Sequence, residues 1–157
     1  WSAWNLDPFL LVSLFAFGLA GMGVLARTPG ERRWMAAAMA VLDVIDDEGL
    51  VGNALETSSY LLDRMQALSH PLLAEVRGAG LFFGLEFVQD DAMTPATAFV
   101  EDLVEAMVAR GFLLNRIGRH GNTLKIRPPM PFGREHADLL CDALDAALGA
   151  APVAKGG

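Results

Sequence analysis

The chain has 157 residues, enough for one hydrophobic core and too few for two domains of comfortable size. Its net charge of −7 argues against a nucleic-acid partner, which would call for a clustered positive surface able to displace counterions from phosphates. Cys141 is the only cysteine, so an intrachain disulfide is excluded, which fits a reducing compartment such as the cytoplasm.

The N-terminal segment, residues 1–34, differs in composition from the rest. From Pro8 to Ala26 no residue is charged. At about 1.5 Å per residue such a run just crosses a hydrocarbon core of about 30 Å, a borderline transmembrane helix. Trp1, Trp4 and Trp34 flank it, and Arg27, Arg32 and Arg33 follow it. Interfacial tryptophans and a positive inner flank would leave the remainder in the cytoplasm. Three competing readings stand beside this one: a buried core helix, a secretory signal peptide, which the absence of a basic leader disfavours, and a segment foreign to the rest through gene fusion or frame error. Gly18, Gly21 and Gly23 count against the core helix, since each costs up to about 1 kcal/mol relative to alanine in water.

After a turn at Thr28-Pro29-Gly30, Met35, Met39, Leu42 and Ile45 recur at helical spacing, with the acidic residues Asp43, Asp46 and Asp47 opposite. Gly49 interrupts the rhythm, which resumes through Leu50, Leu55, Leu61, Leu62, Met65 and Leu68. One long or broken helix, closed by His70-Pro71, is expected. Strand character follows over Glu75–Arg77 and Leu81–Val88, where Gly78, Gly80 and Gly84 mark a tight link and close backbone packing. The next helix is predicted from Pro95 to Arg110, capped by Thr94 and stopped by Gly111. Short strands are predicted over Phe112–Asn115 and Thr123–Arg127, the second ended by Pro128-Pro129. A last helix, Arg134–Leu148, places Ala137, Leu140, Cys141, Leu144 and Leu148 on one face, so a buried, inert thiol is expected at Cys141. The expected fold class is therefore α+β, a two-layer domain over residues 35–149 with helices on one side of a small, mostly antiparallel sheet, preceded by an apolar N-terminal helix. Residues 150–157 read as a disordered tail.

Two blocks carry the family signal. The first is Val76-Arg77-Gly78-Ala79-Gly80-Leu81-Phe82-Phe83-Gly84-Leu85-Glu86-Phe87, and the second is Gly121-Asn122-Thr123-Leu124-Lys125-Ile126-Arg127-Pro128-Pro129-Met130-Pro131-Phe132. At this separation, and joined by the helical segment Asp102–Arg110, they resemble the C-terminal small domain of class III (fold type I) aminotransferases, nearest the alanine–glyoxylate aminotransferase and ethanolamine-phosphate phospho-lyase branch. The resemblance runs from about Ala36 to Leu148, and residues 1–34 lie outside it. It implies a pyridoxal phosphate enzyme that moves an amino group between an amino donor and a 2-oxo acid.

Arg127 is the candidate substrate-binding residue. An arginine at a strand end, followed by two prolines that fix the chain, can offer its planar fork to a carboxylate in two parallel hydrogen bonds. From the residues alone, a structural ion pair with one of the 19 acidic side chains stays open. The resemblance implies that the arginine of this motif binds the substrate carboxylate. Lys125, two positions away, points to the same face of the strand and either helps to attract an anion or is simply solvated. Glu86 reads as a local hydrogen-bonding residue.

The Gly78-x-Gly80 glycines lead into a strand, so no helix N-terminus is aimed at a phosphate and a dinucleotide loop is not expected. His70, His120 and His136 are too scattered for metal ligation. His120 lies in a loop similar to one near the active-site mouth of that branch of the family, with a plain surface histidine as the competing reading.

Catalysis with pyridoxal phosphate needs a Schiff-base lysine and an acidic partner for the ring nitrogen. The chain's two lysines, Lys125 and Lys155, match neither role in the resembling family. No catalytic, cofactor-binding or metal-binding residue is therefore assigned. The resemblance implies that the cofactor is held by a large domain, and that the chain works with that domain or a homodimer partner on an amino or 2-oxo acid. By itself it is expected to be inactive. A phospho-lyase of the same family, or a noncatalytic module tethered to a membrane through residues 8–26, are the alternatives.

Overall fold

The computed structural model describes residues 28–150, so the apolar run 8–26 and the tail 151–157 lie outside the described residues. Among the described residues, no helix is long and apolar enough to cross a membrane. The chain divides into two compact units, Trp1–Leu50 and Val51–Gly157.

The described part of the first unit is helix α1, Pro29–Asp47. Thr28 and Pro29, expected in a turn, instead start the helix. The Thr28 hydroxyl accepts from the Glu31 N–H (3.2 Å), and the Glu31 carboxylate accepts from the Thr28 N–H (2.9 Å). This capping box satisfies two of the donors that a helix start leaves orphaned, with Pro29 in the first turn where a missing N–H costs nothing. Met35, Met39, Leu42 and Ile45 share one face, each half-buried, and no α1 residue is fully buried.

The second unit is a two-layer α+β domain. Helix α2 (Leu50–Gln66) leads into strands β1 (Leu73–Ala79) and β2 (Phe82–Phe87), then helix α3 (Thr97–Val108), strands β3 (Asn115–Ile117) and β4 (Thr123–Ile126), and helix α4 (Arg134–Ala150). The sheet order is β1-β2-β4-β3, with every neighbouring pair antiparallel. Ala79 pairs with Phe82, so only Gly80 and Leu81 link β1 to β2. Gly80 has φ +53°, the left-handed conformation that a two-residue hairpin asks of its first linking residue. Leu85 opposes Leu124 and Phe83 opposes Ile126, placing these four side chains on the helix-covered face of the sheet. They pack with Phe87, with Leu61 and Met65 of α2, with Val100, Leu103 and Met107 of α3, and with the expected face of α4. Burial of each large side chain contributes about 1.5–3 kcal/mol. The other face carries Arg77, Glu86, Thr123 and Lys125, set by the period-2 alternation.

Two boundaries differ from expectation. The helix predicted from Pro95 starts at Thr97, and Thr94 is not its cap: Ala96 takes that position without a side-chain bond. The Thr94 N–H donates to Asp90 Oδ1 (3.0 Å), Pro95 bridges Val88, and the Ala96 N–H donates to the Phe87 carbonyl (3.1 Å). These bonds hold residues 94–96 outside the helix, beside the end of β2. The strand predicted over Phe112–Asn115 is displaced to Asn115–Ile117. Here the Phe112 N–H donates to the Met107 carbonyl (3.0 Å) and the Gly111 N–H to the Val108 carbonyl (2.9 Å), with Gly111 at φ +89°. That is a Schellman ending of α3, and it takes the Phe112 N–H that a ladder would have used.

Candidate substrate-anion site at the end of β4

Strand β4 buries Leu124 and Ile126 and leaves Lys125 half-buried on the opposite face; Arg127, the next residue in that alternation, is exposed. Pro128 and Pro129 follow at once, so the chain cannot continue the ladder. Lys125 and Arg127 both line a cleft of about 440 Å³, whose walls include Phe112, Leu114, Phe132 and Leu140. No acidic side chain lines it.

The nine described arginines divide into four that are ion-paired and five, Arg32, Arg33, Arg110, Arg119 and Arg127, that are not ion-paired among the described residues. Arg64, Arg77, Arg116 and Arg134 are each ion-paired: Arg64 with Asp138 and Asp142, Arg77 with Glu75 and Glu86, Arg116 with Glu101, and Arg134 with Glu56. Arg127 has no carboxylate within 4.0 Å among the described residues. Among the described residues, the structural ion pair left open by the sequence is not formed. A guanidinium with five unpaired donors, beside an ammonium and in a cleft without carboxylates, suits a planar anion such as a carboxylate.

Glu86 is engaged elsewhere on the same sheet face. Its carboxylate accepts from Arg77 (2.6 Å) and more weakly from the Asn122 amide (3.4 Å). The Arg77 hydrogen bond holds the Glu86 carboxyl below its ordinary value, as a fixed anion with a structural role. The histidines stay apart. His70 sits at the α2–β1 link and stacks on Phe99 at 4.8 Å, and His136 lies against Phe132 at 5.4 Å. His120 is exposed, and its carbonyl accepts from the Thr97 hydroxyl (2.5 Å); it does not line the Arg127 cleft. Among the described residues no group of three or more His, Cys, Asp or Glu could hold a metal ion. Sequence reasoning missed Asn53, whose side-chain amide reaches the loop after Arg127.

Residues 29–148 match the model of the aminotransferase class-III family. The chain belongs to that family. The class-III match starts ahead of Ala36, where the resemblance was expected to begin. An alanine–glyoxylate aminotransferase 2 homologue of Arabidopsis thaliana is 39% identical over 69% of this chain and 24% of its own length. An ornithine aminotransferase of Bordetella pertussis is 41% identical over 78% of this chain and 28% of its own. Among solved structures, a phospholyase from Arthrobacter in complex with phosphoethanolamine superposes with a TM-score of 0.71 at 41% identity, covering 75% of this chain and 29% of that one. An amine transaminase from an uncultivated Pseudomonas species, in its pyridoxal phosphate-bound form, gives 0.67 at 32% identity, covering 75% and 27%. The chain thus spans 24–29% of the length of these relatives.

Class-III aminotransferases work with pyridoxal phosphate. The sole described lysine, Lys125, lies in a cleft with no acidic residue to face a ring nitrogen, and Lys155 lies outside the described residues.

Proposed function

We propose that residues 35–149 are the C-terminal small domain of a pyridoxal phosphate-dependent class-III aminotransferase, and that Arg127 receives the carboxylate of its amino or 2-oxo acid substrate. The observation that carries this reading is Arg127 itself: exposed, free of any carboxylate partner among the described residues, and set by a strand end and two prolines in an acid-free cleft. Two parallel N–H···O bonds from a planar fork bind the carboxylate and fix its orientation. Lys125 adds positive potential to the same cleft. The cofactor is held by the family's large domain, in the same chain or a partner, and residues 35–149 take no step on the cofactor. Alone, the chain does not transaminate. The working enzyme pairs this domain with a large domain, as a homodimer in the cytoplasm, where a lone reduced thiol such as Cys141 is ordinary.

One observation favours a phospho-lyase as the second reading. Lys125 and Arg127 put two cations on one cleft, which suits a phosphate dianion, and the chain is similar to the Arthrobacter phospholyase. Coexpression of the full chain with the large-domain portion of the Bordetella ornithine aminotransferase tests the proposal. Turnover of an amino acid with a 2-oxo acid, absent with either part alone, is the expected result. Phosphate release from phosphoethanolamine without amino transfer would transfer the assignment to the lyase. Turnover by the chain alone would refute its dependence on a large domain.

A further inference from the structure

We infer that Asn53 is a positioning residue for Arg127, acting through the loop 128–132; the inference rests on the reading of Arg127 as an anion clamp. Pro128, Pro129 and Pro131 have no backbone N–H, so this loop has few donors with which to hold itself together. Among the described residues its own backbone closes one hydrogen bond, from the Phe132 N–H to the Pro129 carbonyl (3.0 Å). The carbonyls of Met130 and Phe132 must find donors elsewhere. Asn53 supplies both: its Nδ2 donates to the Met130 carbonyl at 2.7 Å and to the Phe132 carbonyl at 3.1 Å.

The amide is itself held in place. Thr57, one turn further along α2 and 2% exposed, donates through its hydroxyl to Asn53 Oδ1 at 3.5 Å, which orients the NH₂ group toward the loop. Asn53 sits on a helix whose Leu61 and Met65 are fully buried in the core, so the anchor is rigid. A neighbouring side-chain tie from α2 to the start of α4, Arg134 to Glu56 at 2.8 Å, is solvent-exposed and contributes little. Two carbonyls fixed three and five residues past Arg127, with prolines between, restrict where the strand end points its guanidinium. An asparagine in the interior of a helix is a poor helix former, and here its amide has a tertiary function.

The test uses the full chain, uniformly labelled with ¹⁵N, in the Asn53→Leu and Asn53→Asp variants. The leucine removes both donors. The aspartate keeps the shape but sets a carboxylate oxygen against two carbonyl oxygens, and it decides the matter should the leucine variant fail to fold. Backbone order parameters at Arg127, Met130 and Phe132 are expected to fall from about 0.85 to below about 0.6, while Leu124 in β4 stays rigid. Titration with inorganic phosphate, followed at the Arg127 Nε–H resonance, is expected to weaken about tenfold if the loop keeps its binding arrangement a tenth of the time. Unchanged order at those three amides in both variants would overturn the inference. So would a uniform loosening of the whole domain, which is what a purely structural asparagine gives. If Arg127→Ala, titrated with phosphate and followed at the backbone amide of Lys125, leaves phosphate affinity unaltered, the anion-clamp reading fails, and loop order in the Asn53 variants still decides whether Asn53 fixes the strand end.

Discussion

Replacing Gly78 by alanine sets a close approach against a full core. A Cβ built on Gly78 would lie 2.4 Å from Cδ1 and 2.9 Å from Cε1 of Phe83, and 3.2 Å from the Phe82 carbonyl oxygen. Phe83 is 1% exposed and packed into the core, so its ring cannot swing away without displacing neighbours. Overpacking of this kind costs about 1–3 kcal/mol. Losing glycine's freedom in the unfolded chain returns about 0.5–1 kcal/mol. Because a 2.4 Å approach places the overpacking cost in the upper part of that range, about 2–3 kcal/mol, the net expectation is a destabilisation of about 1–2.5 kcal/mol, read as a lower urea midpoint at unchanged slope. Gly52→Ala serves as the internal control, because that glycine lies within α2 with nothing within 4 Å of an added Cβ. There the same substitution is expected to raise stability by up to about 1 kcal/mol. Equal effects at the two sites, or a neutral Gly78→Ala, would refute the packing described for the β1–β2 hairpin.

The remaining predictions concern titration and thiol chemistry. His70 accepts a hydrogen bond from the Leu72 N–H at Nδ1 (3.2 Å), its Nε2 is buried without a partner among the described residues, and burial lowers its pKa below the ordinary 6.5. A depressed histidine binds its proton more readily when unfolded, so stability is full above about pH 7 and falls as pH drops below 6.5 toward the folded pKa, by at most about 1.4 kcal/mol for each tenfold rise in proton concentration. This dependence should vanish between about pH 5 and 7.5 in His70→Asn, whose Oδ1 can still accept from Leu72; urea melts that keep the same pH dependence would contradict the assignment. Cys141 is 1% exposed and burial pushes its thiol up to about 11 from 9.0. At about pH 8 a thiol so raised carries about a hundredth of the usual thiolate, so iodoacetamide should label the folded chain about 100-fold more slowly than the chain in urea. Comparable rates would mean that the α4 face is open.

The sheet, its hairpin and the last helix were legible because their signals are local. Alternation marks β2 and β4, the three-and-four rhythm marks α4, and Pro128-Pro129 stops the strand so that Arg127 stands at its end. The errors fall where a backbone donor chose between two local partners. Pro95 looks like a helix start, yet the N–H groups on either side of it bond to Asp90 and to the end of β2. Phe112 looks like a strand start, yet its N–H closes the Schellman turn. Asn53 was invisible for a different reason: its partners are 77 and 79 residues away, and one polar residue within a helix carries no period that points to them. Arg127, the candidate that the chain's chemistry announces, could be proposed from the sequence; the Asn53 bonds to the loop after it could not.

The most direct measurement is the kinetics of Arg127→Ala in the complex of the full chain with a complementing large domain. Losing charge-assisted hydrogen bonds worth about 1.5–3 kcal/mol should raise KM for the carboxylate substrate about 10- to 150-fold. The rate constant kcat should change little, because the lost contact is made in the ground state and the transition state alike. A KM within about twofold of the unmodified complex, or a loss confined to kcat, would contradict the account of Arg127 as the residue that receives the substrate anion.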